Sequence, residues 1–260
     1  MNPKILITGA SGAIAQRILP FFPADFDLLL TDRQATEIQG RKVHALDITD
    51  FSAVQAAMEG VAAIVHLAIA SLREVVHDDQ LFDADEGTEY LRYNDLAIDV
   101  NVRGTYHLFE AAQAAGVKRF VFASSLTILI GLPRHNELHD DLAPRPANFY
   151  AVTKMWGENL GEYFSRRHGL TVYCLRFGHP AGQKIAPHNI RKRELNPMPS
   201  ILVSSEDLAG SVISALTHQG GPAFGIYSIV SNCTDSRIDF SKTQEIGWSP
   251  KSQTSQGSDD

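Results

Sequence analysis

An apolar strand that runs directly into a glycine turn constrains this chain more than any other feature. Lys4-Ile-Leu-Ile-Thr8 is followed at once by Gly9-Ala-Ser-Gly12-Ala-Ile-Ala15 and then by a helical pattern to about Phe22. Strand, glycine turn and helix in that order form the place where a parallel sheet receives a dinucleotide. Gly9 permits the tight turn, Gly12 lets the backbone approach a pyrophosphate, and Ala15 keeps the helix close to the sheet. The amides of Ser11, Gly12, Ala13 and Ile14 then face the anion at a helix N-terminus that carries partial positive charge. Asp32 stands 20 residues after Gly12 (32 − 12), at the end of the second apolar strand. A carboxylate there takes the adenosine ribose hydroxyls and repels a 2′-phosphate, which favours NAD over NADP. Arg33 beside it is the residue that can hold the extra phosphate, so NADP stays open as the less favoured cofactor.

The same alternation continues down the chain. Strand-like runs at Asp27 to Thr31, Val43 to Leu46, Ile64 to Leu67, Phe120 to Ala123 and Thr171 to Arg176 are separated by helical patterns at Phe51 to Glu59, Val100 to Ala115 and Tyr150 to His168. Alternation of this kind predicts an α/β protein, a Rossmann-type doubly wound parallel sheet covered by helices. Past Gly178 the chain is punctuated by Pro and Gly to Pro199. A helix follows at about Ser205 to His218, with Ser204 as its N-cap, and then a strand at Gly225 to Val230. This region is too small for a second core. The expected organisation is a cofactor domain over 1–178, a small C-terminal substrate cap over 179–251, and a polar, frayed tail over 252–260.

Composition removes several function classes. A formal charge of −7 argues against nucleic acid or an anionic membrane as the main partner, because both demand a cationic surface. Two cysteines, Cys174 and Cys233, supply neither a disulfide framework nor a zinc site, and no His/Asp/Glu spacing suggests a metal. The N-terminus lacks a signal-peptide pattern and no apolar run approaches bilayer length, which points to a cytoplasmic protein. A small molecule is the expected partner.

The chemistry is written at Tyr150-Ala-Val-Thr-Lys154. A tyrosine four residues before a lysine shares one helical face with it, where the ammonium lowers the phenol's pKa. A base working near pH 7 needs the phenolate favoured by about 3 units, roughly 4 kcal/mol. Ser124 and Ser125 lie one strand upstream, and either can hold a reacting oxygen.

With Gly9, Gly12, Asp32, Asn101, Ser125, Tyr150 and Lys154 in this order and spacing, the chain resembles the extended short-chain dehydrogenase/reductase superfamily, the NAD-dependent epimerase/dehydratase type. The resemblance covers about Lys4 to Lys251. It implies that Asp47 and Ile48 line the adenine, that Leu67 and Ala68, after His66, pass over the cofactor, and that Asn101 is the family's helix asparagine. It also implies that Ser125, Tyr150 and Lys154 are the catalytic triad, and that Lys154 bonds the nicotinamide ribose. Relatives pair through the helices bearing Asn101 and Tyr150, which implies a homodimer.

Within that superfamily the chain resembles the bacterial uronate dehydrogenases, through Val121-Phe-Ala-Ser-Ser125, Arg145-Pro146, Gly157-Glu-Asn-Leu160 and Gly247-Trp-Ser-Pro-Lys251. Their spacing from serine to tyrosine selects Ser125 over Ser124. Their substrate positions fall on Ser71, on Leu126 and Thr127 where they carry Asn-His, on His179 where they carry serine, and near Pro197 where they carry an arginine, with Arg193 close enough to serve in its place. An insertion between Ser71 and Asn101 bears Asp78, Asp79, Asp83, Asp85, Glu86 and Glu89, either a lid or a solvated acidic loop. The implied activity is hydride transfer from a sugar-like alcohol or lactol of the uronate or aldose class. A sugar epimerase or dehydratase that recycles its NAD, and a non-catalytic NAD-binding regulator, are the competing readings.

Overall fold

The computed structural model describes residues 3–71, 88–129, 137–146, 148–182, 201–233 and 238–253. Among these residues ten strands and six α-helices follow in chain order: β1 Lys4–Thr8, α1 Ala13–Ile18, β2 Asp27–Asp32, β3 Thr36–Ile38, β4 Arg41–Ala45, α2 Phe51–Ala57, β5 Val61–His66, α3 Thr88–Ala97, α4 Thr105–Ala114, β6 Arg119–Ser125, α5 Phe149–His168, β7 Thr171–Phe177, β8 His179–Pro180, β9 Leu202–Val203, α6 Ser205–Thr217 and β10 Phe224–Ile229. Eight of the strands form one sheet in the order β10-β7-β6-β5-β1-β2-β4-β3. Every pairing in it is parallel except β3 with β4.

Parallel strands buried on both faces need apolar residues at successive positions, and their side chains alternate between the two faces. Ile5 and Ile7 of β1 join Ala15, Ile18, Leu208, Val212 and Ala215 on the face covered by α1 and α6. Leu6, between them, turns to the other face with Val54, Leu108, Phe109, Phe122 and Phe164 under α2, α4 and α5. The doubly wound class expected from the alternation is the fold observed. Because β1 lies between β5 and β2, the strand order reverses there, and the switch point at which a doubly wound sheet takes its ligand falls at the carboxyl ends of β1 and β5.

Local differences from the sequence reading have local causes. The helix expected to Phe22 ends its α-helical hydrogen bonding at Ile18 and tightens to a 3-10 turn over Leu19–Phe21. Pro20 has no amide with which to reach Gln16. The hairpin of β3 with β4 was not visible because its turn is Gln39-Gly40, both at positive φ (53° and 72°), and glutamine is not a turn marker. The helix expected from Val100 begins at Thr88 and widens to π-helical hydrogen bonding over Ile98–Gly104 before α4. The strand expected at Gly225 to Val230 is β10, and it extends the main sheet beside β7. The sheet therefore crosses the division at residue 178. Ser252 and Gln253, which open the expected tail, are tied in: Ser252 N donates to Asp207 Oδ2 at 3.2 Å and Gln253 bridges to Asn232. Among the described residues no helix is long and apolar enough to cross a membrane.

Candidate active site

The glycine turn closes onto the loop after β5. Gly9 has φ of 72°, and a Cβ there would lie 2.6 Å from Ala68 Cα and N, so only glycine fits both the conformation and the approach. Gly12 is the N-cap of α1 with extended φ and ψ (−71°, 162°) and no side-chain cap, which leaves the first amides of α1 without a side-chain partner. The Asp32 carboxylate accepts from Ser11 N at 2.9 Å, from Ser11 Oγ, and from Arg33 N at 2.7 Å. Ser11 thus braces Asp32 against the turn. The turn and the uncapped amides offer donors that suit a pyrophosphate, and the half-buried carboxylate at the end of β2 offers an acceptor that suits ribose hydroxyls.

Around this cradle, Asp47 Oδ1 accepts from Thr49 N at 2.9 Å and Thr49 Oγ1 at 2.7 Å, while Ile48 is buried against Gly104, where a Cβ would meet Ile48 Cγ1 at 2.6 Å. Leu67 is buried and its amide bonds Thr8 O at 3.1 Å. Asn101 sits inside the π-helical turn, 3% exposed. Its Oδ1 accepts from Ala70 N at 2.7 Å and its Nδ2 donates to Thr153 Oγ1 at 3.1 Å, which itself donates to Tyr150 O at 2.8 Å. Asn101 therefore fastens the loop after β5 to the first turn of α5. A π-helical turn at a functional residue is a recurrent device for aiming one side chain. The buried His66 bridges Thr8 Oγ1 (2.8 Å from Nδ1) and Thr105 Oγ1 (2.9 Å from Nε2) and is pushed down to about 3, first by burial and then by Lys154. It is a neutral structural bridge.

The twin serines of β6 separate by strand alternation. Ser124 faces inward, 2% exposed, and donates to Glu158 Oε1 at 2.6 Å. Ser125 ends the strand and caps the 3-10 turn Leu126–Ile128; its Oγ takes hydrogen bonds from Thr127 N at 3.2 Å and Thr127 Oγ1 at 2.9 Å. It also bonds Tyr150, favouring the phenolate. Helix α5 brings Tyr150 and Lys154 onto this end of the sheet. Asn148 caps it through Ala151 N at 2.8 Å, and Gly157 presses against the Phe122 ring, where any side chain would collide. Lys154, 2% exposed, points its Nζ at Ala123 O (2.7 Å) and lies 5.6 Å from the Tyr150 ring centre. Burial pushes the Tyr150 phenol up to about 12 and the Lys154 ammonium down to about 7, the latter opposed by the Glu158 carboxylate.

Of the expected substrate positions, Ser71 is half-buried just past the loop that Asn101 holds, and His179 opens β8 after β7, with its amide on Ile201 O at 2.7 Å. Leu126 is 2% exposed and packs with Ile128, Leu129, Ala151 and Val230. Thr127 turns its hydroxyl to Ser125. Arg193 and the acidic run from Asp78 to Glu86 lie outside the described residues, as does the side chain of Glu89. Sequence reading missed Glu158 and Arg176. Glu158 stands one turn after Lys154, which is a legible signal; its pairing with a strand arginine is not. Among the described residues no group of three His, Cys, Asp or Glu side chains is placed to hold a metal ion.

Residues 5–198 match the family model of the NAD dependent epimerase/dehydratase family. The chain is similar to the NAD-dependent glucose-6-phosphate dehydrogenase of Haloferax volcanii, 32% identical over 198 residues that cover 69% of each protein. It is also similar to the uronate dehydrogenase of Pseudomonas putida, 27% identical across 95% of this chain and 84% of that one. A solved structure of the Agrobacterium tumefaciens uronate dehydrogenase, a mutant complexed with NAD, superposes with a TM-score of 0.75 at 25% identity, over 97% of this chain and 86% of the other. A match across three quarters of the sequence, on a fold whose crevice carries the glycine turn, places the chain as a member of the NAD-dependent epimerase/dehydratase family.

Proposed function

We propose that the protein is an NAD-dependent oxidoreductase that takes hydride from a sugar-like alcohol or lactol, of the uronate or aldose class, through Ser125, Tyr150 and Lys154. The convergence of Ser125 and Lys154 on Tyr150 at the carboxyl edge of the sheet supports this reading above all. Residues 1–178 carry the cofactor and the reacting groups, and 179–251 form the substrate side. NAD is the cofactor, with NADP disfavoured by Asp32. The two dehydrogenase relatives support net oxidation of a sugar. The enzyme is cytoplasmic. The exposed Tyr106 of α4 with Val152 and Tyr163 of α5 form the face of a homodimer.

When bound, the oxidised nicotinamide supplies the hydride acceptor and a positive charge. Tyr150 takes the proton of the substrate hydroxyl, and Ser125 donates a hydrogen bond to the same oxygen as charge develops on it. Burial holds the Tyr150 phenol up at about 12, and the Lys154 ammonium, 5.6 Å from the ring centre, favours the phenolate against it. Tyr150 consequently becomes a base at neutral pH only with the cofactor in place.

The test is a screen for NADH release over uronates, aldoses and polyols with wild type and Tyr150→Phe side by side. Release by the wild type, abolished in Tyr150→Phe with NAD binding intact, is the expected result; survival of the activity in Tyr150→Phe overturns the mechanism. The family's breadth supports a second reading, an epimerase or dehydratase that recycles its NAD internally. Purified protein that retains NAD and turns over sugar without net NADH would establish it instead.

A further inference from the structure

Thr127 stands where the resemblance to uronate dehydrogenases expects a substrate contact, yet its side chain is committed elsewhere. Its hydroxyl lies 2.9 Å from Ser125 Oγ and its backbone amide 3.2 Å from the same atom. A serine hydroxyl has one proton and two acceptor positions. The amide of Thr127 can only donate, which occupies one acceptor position. Tyr150, the third neighbour of Ser125, has no proton to offer once it is a phenolate, so Ser125 must give its own proton to that oxygen. The remaining contact then has one polarity left: Thr127 Oγ1 donates to Ser125 Oγ. The three oxygens thus form a chain of hydrogen bonds all pointing at the phenolate, and aligned hydrogen bonds polarise one another.

From this geometry we infer that Thr127 is a positioning residue, which fills the acceptor side of Ser125 and so aims the single Ser125 proton at Tyr150 or at the substrate oxygen that takes its place. The inference rests on the proposed roles of Ser125 and Tyr150. It assigns the Thr127 hydroxyl to the catalytic relay, leaving substrate selection to other residues. The short 3-10 turn Leu126–Ile128 acquires a purpose: it returns the chain at the tight angle that lets residue 127 reach back two positions. The methyl group of Thr127 restricts its χ1, so the hydroxyl is aimed with less loss of freedom than a serine would incur.

The test uses the holoenzyme with NAD, labelled with tyrosine carrying 13C at Cζ, and follows the Tyr150 resonance against pH; the Tyr150→Phe variant assigns that resonance. Thr127→Val keeps the shape and removes the hydroxyl, and Thr127→Ala serves if the valine variant does not fold. Loss of one hydrogen bond in a charged relay should raise the pH of Tyr150 ionisation by about one unit, and Thr127→Ser should restore it. Wild-type titration in Thr127→Val while Ser125→Ala shifts it overturns the role of Thr127 and leaves the site reading intact. Titration unchanged in Ser125→Ala as well overturns the site reading and the inference together. Loss of NAD binding in both Thr127→Val and Thr127→Ala, with Thr127→Ser intact, assigns Thr127 to the cofactor cradle and overturns the inference too.

Discussion

Glu158 and Arg176 form a two-pronged ion pair beneath the candidate active site, with Nε to Oε1 at 2.8 Å and Nη2 to Oε2 at 2.9 Å, and both side chains almost wholly buried. The pair also takes in Ser124, through Glu158 Oε1, and the carbonyl of Asp140, through Arg176 Nη1 at 3.1 Å. Charges removed from water are tolerable only when each is paired and its remaining hydrogen-bonding capacity is filled. Glu158 lies one helical turn from Lys154 and favours its ammonium form. The network therefore joins the rigid core to Lys154, the group proposed to condition Tyr150.

Removing one member of that pair should be far worse than removing both. Glu158→Gln leaves the Arg176 guanidinium buried without its counter-charge and should destabilise the protein by about 3–5 kcal/mol. Replacing Glu158 and Arg176 together by methionine should recover most of that loss. Chemical denaturation of the wild type and the two variants, read by circular dichroism, checks the non-additivity; equal losses in the single and double variants would refute it.

Gly157 sets how closely α5 approaches β6, because a methyl group there would enter the Phe122 ring. Gly157→Ala should force the helix outward, at about 1–3 kcal/mol of stability. Since Lys154 is three residues away on the same helix, its Nζ should also lose the 2.7 Å contact with Ala123 O. Lower melting temperature and lower kcat, both relieved by a second substitution Phe122→Leu, are the expected pattern.

His66 should make the fold acid-labile. It is held neutral down to about pH 3, whereas in the unfolded chain it titrates near 6.5. Below pH 6.5 the unfolded chain binds a proton that the folded protein refuses, so stability falls as pH drops from about 6.5 to about 3, by about 1.4 kcal/mol per pH unit. His66→Gln starts less stable at neutral pH, but its loss over that window should be shallower. Parallel slopes in wild type and His66→Gln would exclude the histidine as the cause.

Lys154 predicts a trend of the same sign at alkaline pH in the cofactor-free protein: stability should rise with pH there too. Its folded pKa of about 7 lies below the unfolded value of 10.5, so its burial penalty is full below pH 7 and fades as pH rises toward 10.5. Lys154→Met should accordingly be more stable than wild type at pH 6, by a few kcal/mol, and the two should converge near pH 10. Thermal melts across that range provide the measurement. The variant should have lost NADH-forming activity throughout.

Much of this was legible in the chain because it follows from local pattern. The strand-glycine-helix passage at Lys4 to Ala15, the alternation that made a doubly wound sheet, the Ser204 cap and the face shared by Tyr150 and Lys154 all rest on contacts within a few residues. So does the end of α1, since the missing amide of Pro20 is a local property of the chain. What depended on register across strands was not legible. Which of Ser124 and Ser125 faces Tyr150 is decided by where β6 ends relative to α5, and the choice of Ser125 needed a likeness to relatives; the geometry puts Ser125 at Tyr150 and Ser124 at Glu158.

By itself, then, the sequence determined the class of fold, the glycine turn between β1 and α1 and the helix that bears the tyrosine and lysine, because backbone propensity and residue periodicity act over short distances. Tertiary structure alone decided that Arg176 reaches Glu158, that Asn101 ties the β5 loop to α5, and that Thr127 turns back to Ser125. Those relationships form between groups brought together by the collapse of separate elements, where burial removes water and makes each polar partner obligatory.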